Sequence, residues 1–271
     1  VSYQPIAEGP RYTPGHLTAL RRFAIGITVI TVLGHTYFGF EQSYAQPLVA
    51  LATGYAMQLL LELVEAWCAR RQPRFLGGPR KLLDFLLSAH ISALAVAMLL
   101  YFNDRLWVVA FATAVAIGSK TLFRAPYRNG TRHFLNPSNF AITATLLLFP
   151  SVGLMIPWQF TTELGTVGDW LLPVVIIGIG TFLNGRFTKR LPVILAFLVG
   201  FILQALVRTI VFDIPIWPLL APIAGVAAVI YTFFMLPDPA TTPDRLRYQV
   251  AFGLSVAAMY LVLVATHIVF G

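Results

Sequence analysis

The chain has 271 residues, 58% of them hydrophobic and only 11% charged, with a mean hydropathy of +0.76, whereas a soluble globular domain carries about 25% charged residues. An ordinary soluble domain is therefore excluded. Lys and Arg outnumber Asp and Glu by 19 to 11, but in so apolar a chain a basic excess orients helices in a bilayer, and nucleic acid is rejected as a partner.

Residues 1–22 are polar, basic and proline-containing and read as a cytoplasmic N-terminal tail without a cleavable signal peptide. The first apolar stretch would then act as its own insertion signal. From residue 23 onward, windows long enough to cross a bilayer recur at 23–40, 45–67, 82–102, 106–123, 138–157, 167–185, 190–212, 217–236 and 248–270. The expected fold class is all-α, a polytopic membrane helix bundle of about nine transmembrane helices forming one domain over 23–271. A tenth element would come from the tail or a split helix. A break after the fifth span allows two related halves with broken helices. The lone cysteine, Cys68, excludes an intramolecular disulfide and reads as a small buried apolar residue.

Numbering the spans from a cytoplasmic N-terminus puts all the Lys and Arg residues on the inner side except Arg105 and Arg208, as the positive-inside rule requires. Adding or losing one helix would invert every later loop. Trp107, Trp158, Trp170 and Trp217 then fall at outer helix ends and Trp67 at an inner one, which suits an indole at headgroup level. The expected localisation is a bacterial cytoplasmic membrane, multi-pass, N-terminus inside and C-terminus in the periplasm. Its larger inner loops are 68–81, 119–137 and 237–247.

Two inner segments are irregular. In Thr131-Arg132-His133-Phe134-Leu135-Asn136-Pro137-Ser138-Asn139-Phe140, Asn136 reads as an N-cap with proline at the first helical position. Such a terminus presents free N–H groups to an anion or a ring carbonyl, or simply starts a helix. Asn136, Ser138 and Asn139 are the candidate ligand contacts; His133 either positions a ligand beside them or is solvated. The second segment is Phe234-Met235-Leu236-Pro237-Asp238-Pro239-Ala240-Thr241-Thr242-Pro243, whose Thr241 and Thr242 would assist on the same face.

These two motifs, together with a span ending Leu148-Phe149-Pro150, resemble the integral membrane D subunit of the Rnf electron-transport complex and the related B subunit of the sodium-translocating NADH:quinone reductase. The likeness runs from about Ser119 to Thr242, and is closer still to a divergent branch of membrane proteins associated with enediyne biosynthesis. It implies a flavin-bearing helix bundle that passes electrons across the membrane with partner subunits. In the better-known members FMN is attached to the last threonine of a Ser/Thr-Gly-Ala-Thr motif in an outer loop. The corresponding loop here carries Thr161, Thr162 and Thr166 without that context, so FMN or riboflavin held noncovalently is favoured over covalent attachment.

An ionised group at the bilayer centre costs about 2.5 to 3.5 kcal/mol on insertion scales, so each one has a partner or a task. Glu62 and Glu65, three apart on the second span, share a helix face; they either pair with Arg70 and Arg71 or line a proton or sodium path, with pairing favoured. Arg208 either binds an anion or is a snorkelling anchor paired with Asp213. Two of His35, His90 and His267 facing each other would ligate a b-type haem, but hydrogen bonding across helices is favoured and haem is not expected. Gly178 and Gly180 let the sixth span approach a neighbour closely. No metal-ligand spacing, dinucleotide fingerprint or phosphate loop is present. Three classes of function follow: a flavin-holding redox subunit, a channel or permease for a small solute or ion, and a noncatalytic accessory subunit of a larger membrane complex.

Overall fold

The computed structural model describes residues 14–127, 130–154 and 163–266, and the chain divides into two compact units, Val1–Met155 and Ile156–Gly271. The first holds helices α1 (Pro14–Leu33), α2 (Ala45–Cys68), α3 (Pro79–Leu99), α4 (Leu106–Leu122) and α5 (Pro137–Leu148), and the second α6 (Gly165–Leu183), α7 (Leu191–Phe212), α8 (Ile216–Ala224), α9 (Val226–Ile230) and α10 (Leu246–Ala265). Among the described residues, five helices are long and apolar enough to cross a bilayer: α2, α3, α6 with the turn after it, α7 and α10. A sixth crossing is formed if α8 and α9, bent by 66°, count as one. The molecule is a multi-pass, predominantly helical membrane protein. Helices α4 and α5 are apolar but have only 17 and 12 residues.

Several boundaries depart from the sequence reading. Helix α1 opens at Pro14, inside the expected tail. Proline is pre-set for a first helical position, and the polar half of α1 is anchored, because Arg21 donates to Asp84 of α3 from Nε (2.8 Å) and Nη2 (2.7 Å). The fifth span stops at Leu148 rather than continuing toward 157. Pro150 disfavours helix at the residue before it, and the chain turns into a strand. Leu100–Tyr101 (β1) and Gly153–Leu154 (β4) pair antiparallel, with Leu100 opposite Leu154. The eighth span breaks at Gly225, whose ψ of 149° is extended, three residues after Pro222 has removed a helical donor. Inner segment 119–137 is not a plain loop: Arg124–Tyr127 (β2) and Gly130–His133 (β3) form a hairpin that sets Arg124 opposite His133. Cys68, expected in the interior, is exposed at the end of α2.

The first helix of each unit ends in the same way. Helix α1 runs into a π turn at Gly34–Phe38 closed by Gly39 (φ 76°), and α6 into one at Asn184–Thr188 closed by Lys189 (φ 55°). In both, the next N–H returns to the first carbonyl of the turn: Phe40 to Gly34 at 2.9 Å and Arg190 to Asn184 at 3.0 Å. A third π turn, Tyr231–Met235, follows α9. Such turns arise where the i→i−4 ladder yields, often at functional sites.

In the first unit the core lies between α3 and α4, along Ala89, Ala93, Val96 and Ala97 on one and Val108, Val109, Ala112 and Ala116 on the other, all buried. Gly54 of α2 lets this layer close up; a Cβ there would lie 3.1 Å from that of Ala93 and 3.4 Å from Cγ2 of Thr113. Buried Gln42 donates its amide to the carbonyls of Ala97 (2.9 Å), Met98 (3.4 Å) and Leu100 (3.2 Å). It thereby satisfies acceptors that the C-terminus of α3 leaves orphaned. In the second unit α7 and α10 run parallel, Arg190 meeting Asp244 at one end and Phe201 meeting Tyr260 further along, and a Cβ on Gly253 of α10 would meet the Val193 carbonyl at 2.5 Å and the Phe197 nitrogen at 2.9 Å. Phe197, Phe201, Leu236 and Ala257 fill the core of that unit. Trp67, Trp107, Trp170 and Trp217 are all exposed, as side chains at a lipid interface are; Trp158 lies outside the described residues.

Candidate functional site

The start of α5 is built by Asn136, whose backbone is extended (φ −66°, ψ 120°) before Pro137 takes the first helical position. Its side-chain oxygen accepts from the Asn139 N–H at 3.1 Å and from the Ser138 hydroxyl at 2.9 Å. This is the expected N-cap, and it uses the very oxygen that a ligand would need. Ser138 is buried beneath it. The Asn139 carboxamide, by contrast, makes no hydrogen bond to a described residue and is partly exposed, so it retains one acceptor and two donor positions. Phe123 stands edge-on to Phe134 (6.3 Å) and Phe140 (5.1 Å) around this turn. His133 closes β3, three residues before Asn136. Of the four residues singled out here, Asn139 keeps the free polar group.

Thr241 and Thr242 belong to the second unit and make a turn of their own around Asp238. The Thr241 hydroxyl donates to the Asp238 carboxylate (3.1 Å) and the Thr242 hydroxyl to the Asp238 carbonyl (2.8 Å), while the same carboxylate accepts from the Ala240 N–H (3.0 Å). Both hydroxyls are spent on holding the loop. Arg190, buried at the start of α7, clamps the far end through Nη1 to the Pro243 carbonyl (2.5 Å) and Nη2 to Asp244 (2.7 Å). A cation beside a span start is worth pairing with any nearby acid, and that signal was present in the sequence, where Arg190 otherwise reads only as a topology marker.

Glu62 and Glu65 pair, as favoured, with Arg71 as expected but with Arg74 in place of Arg70. The Glu62 carboxylate is 1% exposed and accepts from Arg71 Nη1 (2.5 Å), from Arg74 Nε (2.8 Å) and from the Arg74 N–H (2.7 Å). Glu65 takes Arg74 at 2.7 Å, Arg71 at 3.6 Å and Arg124 of β2 at 3.9 Å. Hydrogen bonding to Glu62 raises the Arg71 guanidinium above its usual range. Arg70 is excluded from the cluster because its backbone is left-handed (φ 49°). The bond network ties α2, the loop after it and the hairpin together.

Arg208 forms no ion pair with Asp213 among the described residues, correcting the anchor expected there. The two are five apart, which is not a face-sharing spacing, and Asp213 has already left the helix with φ 53°. Gly178 faces open space, so the close approach expected of it does not occur, while a Cβ on Gly180 would lie 2.6 Å from that of Phe233. Thr166 lies exposed in the first turn of α6. Thr161, Thr162 and His267 are outside the described residues.

His90 joins three helices. Thr28 of α1 donates its hydroxyl proton to the Ala24 carbonyl (2.7 Å), so its oxygen must accept from His90 Nε2–H (2.7 Å). The free Nδ1 then accepts from the Tyr55 hydroxyl of α2 (2.6 Å). This accounting assigns the Nε2–H tautomer and leaves neither nitrogen for a haem. His35 uses Nδ1 against the Thr31 carbonyl (2.9 Å). Sequence reasoning missed Gln204 of α7, which is 3% exposed and has both amide atoms unpaired, as is the buried Tyr260 hydroxyl on α10. A glutamine inside an apolar span was the available signal.

Fold and site together define a class: a predominantly helical, multi-pass membrane protein whose short or broken helices end in closed polar turns. Set against known proteins, the chain matches no family model, and no curated protein is significantly similar to it.

Proposed function

We propose that the chain is an integral membrane subunit akin to the D subunit of the Rnf complex and the B subunit of the sodium-translocating NADH:quinone reductase, holding FMN or riboflavin noncovalently and passing electrons with partner membrane subunits. The observation that supports this reading is the start of α5, where the Asn136 oxygen accepts from the Ser138 hydroxyl and the Asn139 N–H and leaves the Asn139 carboxamide unspent. A carboxamide offers a donor beside an acceptor, which complements the imide edge of an isoalloxazine ring, and Phe134 and Phe140 supply aromatic surface nearby. His133 would help position the ring. In this reading the protein crosses a bacterial cytoplasmic membrane nine times, with α8 and α9 as one broken span, N-terminus inside and C-terminus outside.

The test is the absorption spectrum of the purified protein. An oxidised-flavin spectrum that is lost on denaturation and filtration is expected, and Asn139→Leu should lower flavin content while membrane insertion is unchanged. Absence of flavin from protein purified with its partner subunits would overturn the reading. Thr166 would matter only if flavin stayed with the denatured chain.

A second reading, a permease for a small polar solute, draws on Gln204 and Tyr260, because buried polar atoms without partners await a hydrogen-bonding guest or water. Solute flux into vesicles that is abolished by Gln204→Leu would favour it.

A further inference from the structure

The end of α2 carries a feature that neither motif explains. Its last carbonyls are closed by a 6→1 bond from the Arg71 N–H to the Ala66 carbonyl (3.0 Å) and a bond from the Arg70 N–H to the Trp67 carbonyl (3.2 Å). This is the Schellman arrangement, in which the residue after the C-cap must be left-handed and is usually glycine. Here that residue is Arg70, with φ 49°, although a side chain costs roughly 1 kcal/mol in this conformation. The strained arginine meets no acid among the described residues. It lines an open groove of about 530 Å³ together with Ala66, Trp67, Cys68 and Arg71.

The neighbourhood is charged on one side and apolar on the other. Among the described residues, Arg71, Arg74 and Arg124 share two carboxylates, Glu62 and Glu65, and Arg70 has none, so in this cluster four guanidinium groups outnumber two acids. Just below them, Leu60 (54% exposed), Leu63 (47%), Val64 (51%) and Trp67 (82%) form a stripe at three- and four-residue spacing on α2. Trp67 marks the boundary between headgroup and acyl depth.

We propose that this groove is a binding site for an anionic phospholipid, with the headgroup phosphate on the Arg70 guanidinium and an acyl chain along Leu60, Val64 and Trp67. A phosphate diester matches the forked donors of arginine, and the excess charge selects an anionic over a zwitterionic headgroup. The proposal is independent of the flavin reading and of which side of the membrane the helix end faces.

The test uses the full chain in phosphatidylcholine vesicles containing phosphatidylglycerol. Brominated acyl chains quench nearby indoles, and subtracting the signal of Trp67→Phe isolates Trp67 from the other four tryptophans. Brominated phosphatidylglycerol is expected to occupy the site about fivefold better than brominated phosphatidylcholine, the order set by one basic residue at an anionic surface. Arg70→Gly should abolish that preference, and Arg70→Lys should keep most of it. Because glycine relaxes the left-handed backbone, Arg70→Gly should unfold no earlier than the parent, which separates lost binding from lost folding. Equal quenching by both lipids, an unchanged preference in Arg70→Gly, or displacement of the quencher by inorganic phosphate alone would overturn the assignment. So would the absence of quenching by either lipid, which would mean that a protein partner covers the groove.

Discussion

Glu62 holds Arg74 twice, through the backbone N–H at 2.7 Å and through Nε at 2.8 Å. One carboxylate thus fixes both the path of the loop after α2 and the direction of a side chain leaving it. Because the Glu62 side chain is 1% exposed and Glu65 is 32% exposed, the two acids should differ in weight. Glu62→Gln is expected to cost about 1–3 kcal/mol by removing the buried charge on which Arg71, Arg74 and the Arg74 N–H converge, and Glu65→Gln under ~1 kcal/mol. Thermal unfolding in detergent measures both; equal losses would remove the special role assigned to Glu62.

The cap at Asn136 carries a smaller and more specific expectation. Asn136→Ala removes the acceptor for the Asn139 N–H and the Ser138 hydroxyl and should lower stability by about 1 kcal/mol, whereas Asn136→Asp, which can still cap, should lose little. If alanine and aspartate behave alike, the side-chain oxygen does not hold the turn.

His90 predicts coupling between two distant helices. Tyr55→Phe strands Nδ1 and Thr28→Val strands Nε2–H, each costing about 1 kcal/mol as a part-buried group left unpaired. Since both act through one ring, the double variant should lose less than the sum of the two single variants. Strict additivity in a double-mutant cycle would show that the ring does not link them.

Glycines separate packing from mere composition. Gly253→Ala would press a methyl against the Val193 carbonyl and the Phe197 nitrogen of the facing backbone, which cannot rotate away, so α7 and α10 must part at a cost of about 1–3 kcal/mol. Gly178→Ala meets nothing and should be neutral or stabilising by up to ~1 kcal/mol, since alanine is the better helix former. Unfolding midpoints of the two variants read the contrast directly.

Much of the site was legible from local chemistry. Asn136-Pro137 is a helix start wherever it occurs, because capping and the proline ring act within one turn, and the structure has that cap. The partners of Glu62 were less legible. Arg70 and Arg71 are nearer in sequence, but a left-handed residue at the end of α2 swings Arg70 away and brings Arg74 in. Asn139 could not be told from Asn136 and Ser138 until the hydrogen bonds among the three were known. The span count shows the same division: hydropathy located the apolar stretches, while the early stop of α5 and the 66° bend after α8 depend on Pro150, Pro222 and the strand that Leu100–Tyr101 offers to Gly153–Leu154.

Lipid as the solvent of this protein, and the helical secondary structure that lipid demands, follow from the order of amino acids alone, because a backbone without water must satisfy its own hydrogen bonds. Where helix starts and breaks fall also follows from proline, glycine and asparagine acting on their immediate neighbours. Which polar groups are spent and which remain available was settled by packing. Packing pairs Glu62 with Arg74 and His90 with Thr28 and Tyr55, and it leaves Asn139, Gln204 and Arg70 uncommitted. The Glu62 pairing depends on the path of the loop after α2, and the His90 pairings are made between helices across many residues of intervening chain, where a hydrogen bond of about 3 Å tolerates no error in how those helices pack.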